Sequence, residues 1–202
     1  MKTMKMRTIS LLAALMLTVG AMAQEFHYGV NAGTNLAVQS ELTDYYNNDQ
    51  IRAGLHAGIT GRLAWQNGFE LQTELNYEQK GSKSDTYTAK YDYISLPVLA
   101  KYSLGKSEHT ALRFNINAGP MVSYLVNSEI EMNDEIGGNT IDMKDRSKDF
   151  EMGGILGFGM AYPISDGNLT FDIRLGLGFT AYDDADNNPK NKYVGFSIGY
   201  EF

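Results

Sequence analysis

The stretch that most constrains this chain is Tyr193–Phe202, which reads YVGFSIGYEF. Val194, Phe196, Ile198, Tyr200 and Phe202 fall on one side of a two-residue period, and Tyr193, Gly195, Ser197, Gly199 and Glu201 on the other. A period of two belongs to a strand. One set is bulky and apolar while the other is small and polar, the division expected of a wall with lipid outside and a narrow polar interior. The sequence ends on this strand, and a terminal strand needs a partner. The first strand is the expected one, which would close a barrel.

The same alternation recurs in Phe26–Val38, Ile51–Trp65, Phe69–Gln79, Tyr91–Leu104, Ala111–Asn127, Phe150–Ile164 and Leu169–Ala181. With the terminal stretch these make eight strands, each about long enough to cross a bilayer when tilted. Short connections follow the second, fourth and sixth strands, among them the hairpin signal Asn67-Gly68 and the run Ser165–Asn168. Longer polar connections follow the others, at residues 39–50, 80–90, 128–149 and 182–192. Short turns at one rim and long loops at the other predict an eight-stranded antiparallel transmembrane β-barrel of the outer-membrane type. Both termini then fall at the short-turn, periplasmic rim. Pro97 and Pro120 lie inside strands, where a missing N–H predicts a bulge or distorted register.

Alternation alone does not say which face is inside, since a soluble ligand-binding barrel turns its apolar face inward. Glycines such as Gly58, Gly157, Gly176 and Gly199 crowd the polar set, and an eight-stranded barrel is narrow inside. Aromatic residues gather near strand ends, as in Phe26, Tyr28, Trp65, Phe69, Tyr102, Phe150, Tyr162 and Phe202. Amphipathic rings at both headgroup levels favour the membrane barrel over the secreted soluble one.

The N-terminus points to export. Lys2, Lys5 and Arg7 precede an apolar run from Ile9 to Val19, and Ala21-Met22-Ala23 forms a small-x-small cleavage site. That run is shorter than a spanning helix needs. A signal peptide at 1–23 and a barrel domain at 24–202 are expected. Removing residues 1–23 takes the formal charge from −7 to −10, which opposes nucleic-acid binding. Cysteine is absent, so disulfides, thiolate chemistry and an N-terminal lipid anchor on cysteine are excluded.

The inward set carries Arg52, Arg62, Lys101, Arg113 and Arg174 against Glu70, Glu74, Glu78, Glu151, Asp172 and Glu201. Charges enclosed in so narrow a wall must pair or stay wet. Their near balance predicts a structural ionic network, a plug rather than a selective pore. The strip Glu70, Glu74 and Glu78 would need a substrate cavity to act as acid and base, so no enzyme activity is expected. His27, His56 and His109 are too scattered for a metal site. Asp183–Asn188 begins like a calcium loop, but the template then wants Gly at 189 and Glu at 195, where Pro189 and Gly195 stand. No cofactor is expected.

With the strands laid out, the chain resembles the small outer-membrane barrel proteins of Bacteroidota, the PorT-like family. The resemblance rests on FHYGVNAGTN at 26–35, LQTELNYEQKGS at 71–82, YDYISLPVLAKYSLG at 91–105, LRFNINAGPMVSYL at 112–125 and KNKYVGFSIGYEF at 190–202. Leu96-Pro97 and Gly119-Pro120 look like family features. Tyr200 and Phe202 resemble the C-terminal signal read by the barrel-assembly machinery. The resemblance implies an outer-membrane location amid lipid and lipopolysaccharide, and it supplies no catalytic residues. Three functions stay open: a structural or interaction barrel that recognises partners through its long loops, a narrow passive channel for small ions or solutes, and an accessory barrel of a secretion system.

Overall fold

A computed structural model describes residues 25–40, 50–104, 112–132, 138–144, 147–181 and 190–202. The strands found there are β1 (Glu25–Ser40), β2 (Gln50–Ala64), β3 (Phe69–Lys83), β4 (Tyr87–Leu104), β5 (Arg113–Met132), β6 (Thr140–Asp142), β7 (Phe150–Ile164), β8 (Gly167–Gly178) and β9 (Lys190–Glu201). All but β6 form a closed antiparallel barrel. β5 pairs with β7 past the β6 excursion, and β9 pairs back onto β1. The eight-stranded barrel expected from the alternation is the fold. The expected signal peptide lies outside the described residues.

Closure can be followed along one row of partners. From Phe26 the row passes Leu63, Leu71, Ala100, Ala118, Leu156, Leu175 and Val194, and it returns to β1 at Leu36. The circuit leaves at residue 26 and comes home at residue 36, a stagger of ten residues. For eight strands at ordinary spacing, that stagger tilts the wall by roughly 40°. Every residue in the row is apolar and belongs to the outward set. Leu55, Ile59, Phe150 and Leu156 on that face are 59–66% exposed. An apolar belt of this extent is stable only against an apolar surrounding.

The tight turns follow local chemistry. Between β2 and β3, Gly68 adopts a φ of 85°, its N–H donates to the Trp65 carbonyl at 3.1 Å, and the Asn67 side chain accepts from the Phe69 N–H at 3.1 Å. Between β7 and β8 the turn is tighter than the sequence reading. Gly167 and Asn168 pair with Ile164 and Pro163, leaving only Ser165, with a φ of 51°, and Asp166.

The expected loop 80–90 is largely strand, and the expected loop 128–149 is strand in part. Lys80–Lys83 continue β3 and pair with Thr88–Tyr91 of β4, so only Ser84–Thr86 of the expected loop 80–90 remain outside strands. Ser128–Met132 continue β5, and β6 pairs with Glu129–Glu131 inside the expected loop 128–149. The physical reason is that ladder bonds join backbone groups and need no apolar side chain. Outward polar residues ended the alternation in sequence without ending the pairing. Of the loops 39–50 and 182–192, Gln39, Ser40, Gln50 and Lys190–Lys192 are strand residues, and 41–49 and 182–189 lie outside the described residues.

The prolines also differ from expectation. Leu96 and Pro97 pair with Val122 and Met121 in the register that holds at Ala100 and Ala118. Pairing lapses beside Pro97 on the β3 side and at Gly119-Pro120 on the β4 side without a shift. The irregularity in β4–β5 falls instead between Asp92 and Tyr93. A missing N–H deletes a bond, but side chains packed on both faces hold the register.

Candidate functional site in the barrel interior

Inward side chains come from every strand of the wall, and their charges sort into three tiers along the axis. The first lies at the short-turn rim. Arg62 donates from Nε to Glu201 at 2.7 Å, its Nη2 also reaches Glu201, and its Nη1 lies 3.0 Å from Glu70. Ser103 donates to Glu70 at 2.7 Å. Lys101 donates to Gln72 at 3.1 Å and stands 4.0 Å from Glu70. The imidazole of His27 bridges toward Glu25 at 3.2 Å and Glu201 at 3.8 Å.

The second tier is a bidentate pair. Arg174 places Nη1 and Nη2 at 2.7 and 2.8 Å from the two oxygens of Glu74, the fork geometry that makes arginine–carboxylate pairs strong and directional. Glu74 is buried and also accepts from Gln72 at 2.5 Å and Asn76 at 2.8 Å. Asp172 lies 3.6 Å from Arg174. His56, buried nearby, contacts the Ser197 hydroxyl at 2.8 Å.

The third tier centres on Lys80, whose 0% exposure makes it one of the most enclosed side chains of the molecule. Its ammonium sits 3.4 Å from Glu78 and 3.5 Å from Glu151, over the rings of Tyr93 and Tyr193 at 4.8 and 5.3 Å from their centroids. Ser95 donates to Glu78 at 2.9 Å, and Asn191 to Glu151 at 2.7 Å. Such cation–π contacts are strongest away from water. Sequence reasoning missed Lys80 by assigning it to a loop. The signal was present, since Lys80 continues the parity of Glu74 and Glu78.

Of the eleven charged residues expected inside, nine fall in these tiers. Arg52 is buried but donates to the backbone carbonyl of Lys80 instead of a lumen carboxylate. Arg113 donates to the Asn168 side chain at 2.6 Å. With Lys80 included, the named interior residues carry six positive and six negative side chains. The interior is also less polar than expected. Tyr193, Met121, Leu99, Ile155 and Ala37 form an apolar layer, and Tyr91, Tyr93, Leu125 and Ala89 a second. Gly176 permits the first of these, because a Cβ there would overlap the Tyr193 ring.

The packing leaves little space. Cavities within and between the tiers measure about 20, 10 and 10 Å³, room for single waters at most. A larger hollow of about 390 Å³ opens at the short-turn rim, with Glu25, Arg62, Trp65, Glu70, Ser103 and Arg113 in its lining. His109 and the run Asp183–Asn188 lie outside the described residues. Among the described residues no group of three or more His, Asp or Glu is arranged to hold a metal. At the chain's end, Phe202 faces outward, donates its N–H to the Tyr28 carbonyl at 2.8 Å and stacks on the Tyr28 ring at 5.3 Å. Tyr200 meets Phe202 edge-on at 4.9 Å.

An apolar wall around a charge-filled core defines an integral β-barrel of the outer-membrane type. The family model of the outer membrane protein beta-barrel domain matches residues 22–184, and the chain belongs to that family. Among solved structures it is similar to Neisserial surface protein A, at 13% identity and a TM-score of 0.52 over 88% of this chain and 97% of that one. The attachment invasion locus protein Ail of Yersinia pestis aligns at 11% identity and a TM-score of 0.48, over 89% of this chain and 100% of that one. OprG of Pseudomonas aeruginosa aligns at 11% and 0.47, over 87% and 95%. Comparison with curated proteins finds no match. Neisserial surface protein A, above a TM-score of 0.5, agrees on the fold, and the family makes this an outer-membrane protein.

Proposed function

We propose that this protein is a non-conducting barrel of the outer membrane that anchors a recognition surface outside it. The observation that carries the reading is the filled interior: three tiers of paired charge, with cavities of about 10–20 Å³ among the described residues there. A hydrated ion passing such a core would have to break buried pairs, each costly to leave open. The tall part of the wall, where the ends of β3, β4 and β5 carry β6, rises beyond the apolar belt. In this reading that sheet and the connections at the same rim contact an extracellular or envelope protein. Lipid and lipopolysaccharide surround the belt, and the barrel-assembly machinery reads Tyr200 and Phe202 during insertion. The PorT-like assignment rests on the five sequence segments quoted above, and no residue here argues specifically for a secretion role.

Planar-bilayer recording tests the plug. The refolded protein is expected to show no conductance steps, and a Lys80→Ala, Arg174→Ala double variant to show them. Steady conductance of the wild type would replace this reading with the passive channel. Orientation has its own test, because the chain has no cysteine. A membrane-impermeant maleimide added to intact cells is expected to label Asp85→Cys and to spare Gln66→Cys; the reverse pattern would put the tall sheet in the periplasm.

A further inference from the structure

We propose that the hollow at the short-turn rim is a binding site for a small organic oxyanion, a carboxylate or phosphate group borne on a compact body, with Arg113 as its anchor. The hollow holds about 390 Å³, in the range of small-molecule pockets, and interior charge meets open space there.

Among the described residues, charge does not cancel locally at this rim. Arg62, Lys101 and Arg113 surround only two buried carboxylates, Glu70 and Glu201. Arg62 engages both of them, and Lys101 has Gln72 and, at 4.0 Å, the same Glu70 oxygen that Arg62 meets. Arg113 meets the neutral amide oxygen of Asn168, a bond that orients the guanidinium without neutralising it. Asn168 in turn donates to Glu201 at 3.2 Å, so the acceptor is held in place. Glu25 also lines the hollow, but its side chain is 70% exposed and turned to His27.

The result is a fixed arginine at a partly enclosed surface, with a fork of donors suited to a two-oxygen anion. The walls supply the remaining recognition. Trp65 offers a flat apolar face, and Gln66 and Asn67 offer amide donors and acceptors. A ligand with an anionic end and a short apolar or amide-bearing body, such as an acylated amino acid, fits that combination. The deeper tiers hold their cations in close carboxylate pairs, so the site ends at the first tier.

Trp65 is the only tryptophan, so intrinsic fluorescence of the refolded full barrel reads this hollow directly. The probes are N-acetylglycine, its uncharged analogue N-acetylglycinamide, and inorganic phosphate. N-acetylglycine is expected to give a saturable change that the amide analogue does not. Arg113→Gln is expected to weaken it at least tenfold, while Lys83→Gln at the far rim leaves it unchanged. A matching response to phosphate, equally lost in Arg113→Gln, would support the anion site and name phosphate as a second source. Equal responses to the acid and the amide, or full binding by a folded Arg113→Gln barrel, would overturn the proposal. Neither result bears on conductance, so this site and the plugged-barrel reading stand or fall separately.

Discussion

The β3–β4 hairpin runs through two environments without a change in its backbone. In its lower part, Phe69–Tyr77 pair with Ile94–Tyr102, and the outward residues Leu71, Leu75, Ile94 and Leu96 are apolar. In its upper part, Gln79–Lys83 pair with Thr88–Asp92, and the outward residues are Gln79, Gly81, Lys83, Thr88, Lys90 and Asp92. The inward side changes less abruptly, with Glu70, Glu74 and Glu78 giving way to Lys80, Ser82 and Tyr91. Backbone pairing sets how tall the barrel is, while outward side chains set how much of it lipid covers. The belt therefore ends between Tyr77 and Gln79 on β3.

The largest effect should come from the enclosed lower part. Arg174→Ala would leave the Glu74 carboxyl buried and without its bidentate partner. We expect it to cost about 3–5 kcal/mol, read by reversible urea unfolding in lipid vesicles, and the double variant Arg174→Ala, Glu74→Ala to recover much of that. A loss no larger than that of an exposed pair would mean that water fills this tier, which would dissolve the contrast between the two parts.

A pair of substitutions four residues apart on one face of β3 locates the boundary itself. Leu75→Arg places a charge against lipid and should cost about 2–4 kcal/mol if near the midplane. Gln79→Arg, on the same face but above Tyr77, should cost about 0–1 kcal/mol. Equal costs in the same unfolding assay would show that lipid rises along the whole hairpin.

The same boundary explains what was legible in the sequence. Inside the belt, each strand alternates between two solvents of opposite character, so Leu71, Leu75 and Tyr77 against Glu70, Glu74 and Glu78 announce strand, face and interior together. Above the belt the outward face is polar as well, the contrast between the faces fades, and residues 80–90 read as a loop although Lys80–Lys83 stay paired with Thr88–Tyr91. Lys80 was lost for this reason alone. The tier partners were beyond reach for another reason. Alternation says that Arg174 and Glu74 both point inward, but their meeting across the lumen depends on the stagger of ten residues around the wall. That stagger is the sum of every register, and neighbouring strands reveal only one register at a time.

The smallest effect should come from the upper part. Lys90 and Glu131 form an ion pair on the outward side of the tall sheet, with side chains 32% and 42% exposed. Solvent reaches both groups, so their attraction is weak and screened by salt. A double-mutant cycle with Lys90→Ala and Glu131→Ala should give a coupling below about 1 kcal/mol that fades between low and high salt. The Arg174–Glu74 coupling, enclosed by the wall, should hardly respond to salt over the same range. If the Lys90–Glu131 coupling matched the interior one and ignored salt, the tall sheet would have to be covered in the membrane-inserted protein. The proposed recognition surface would then already be occupied by another part of the chain or by lipopolysaccharide.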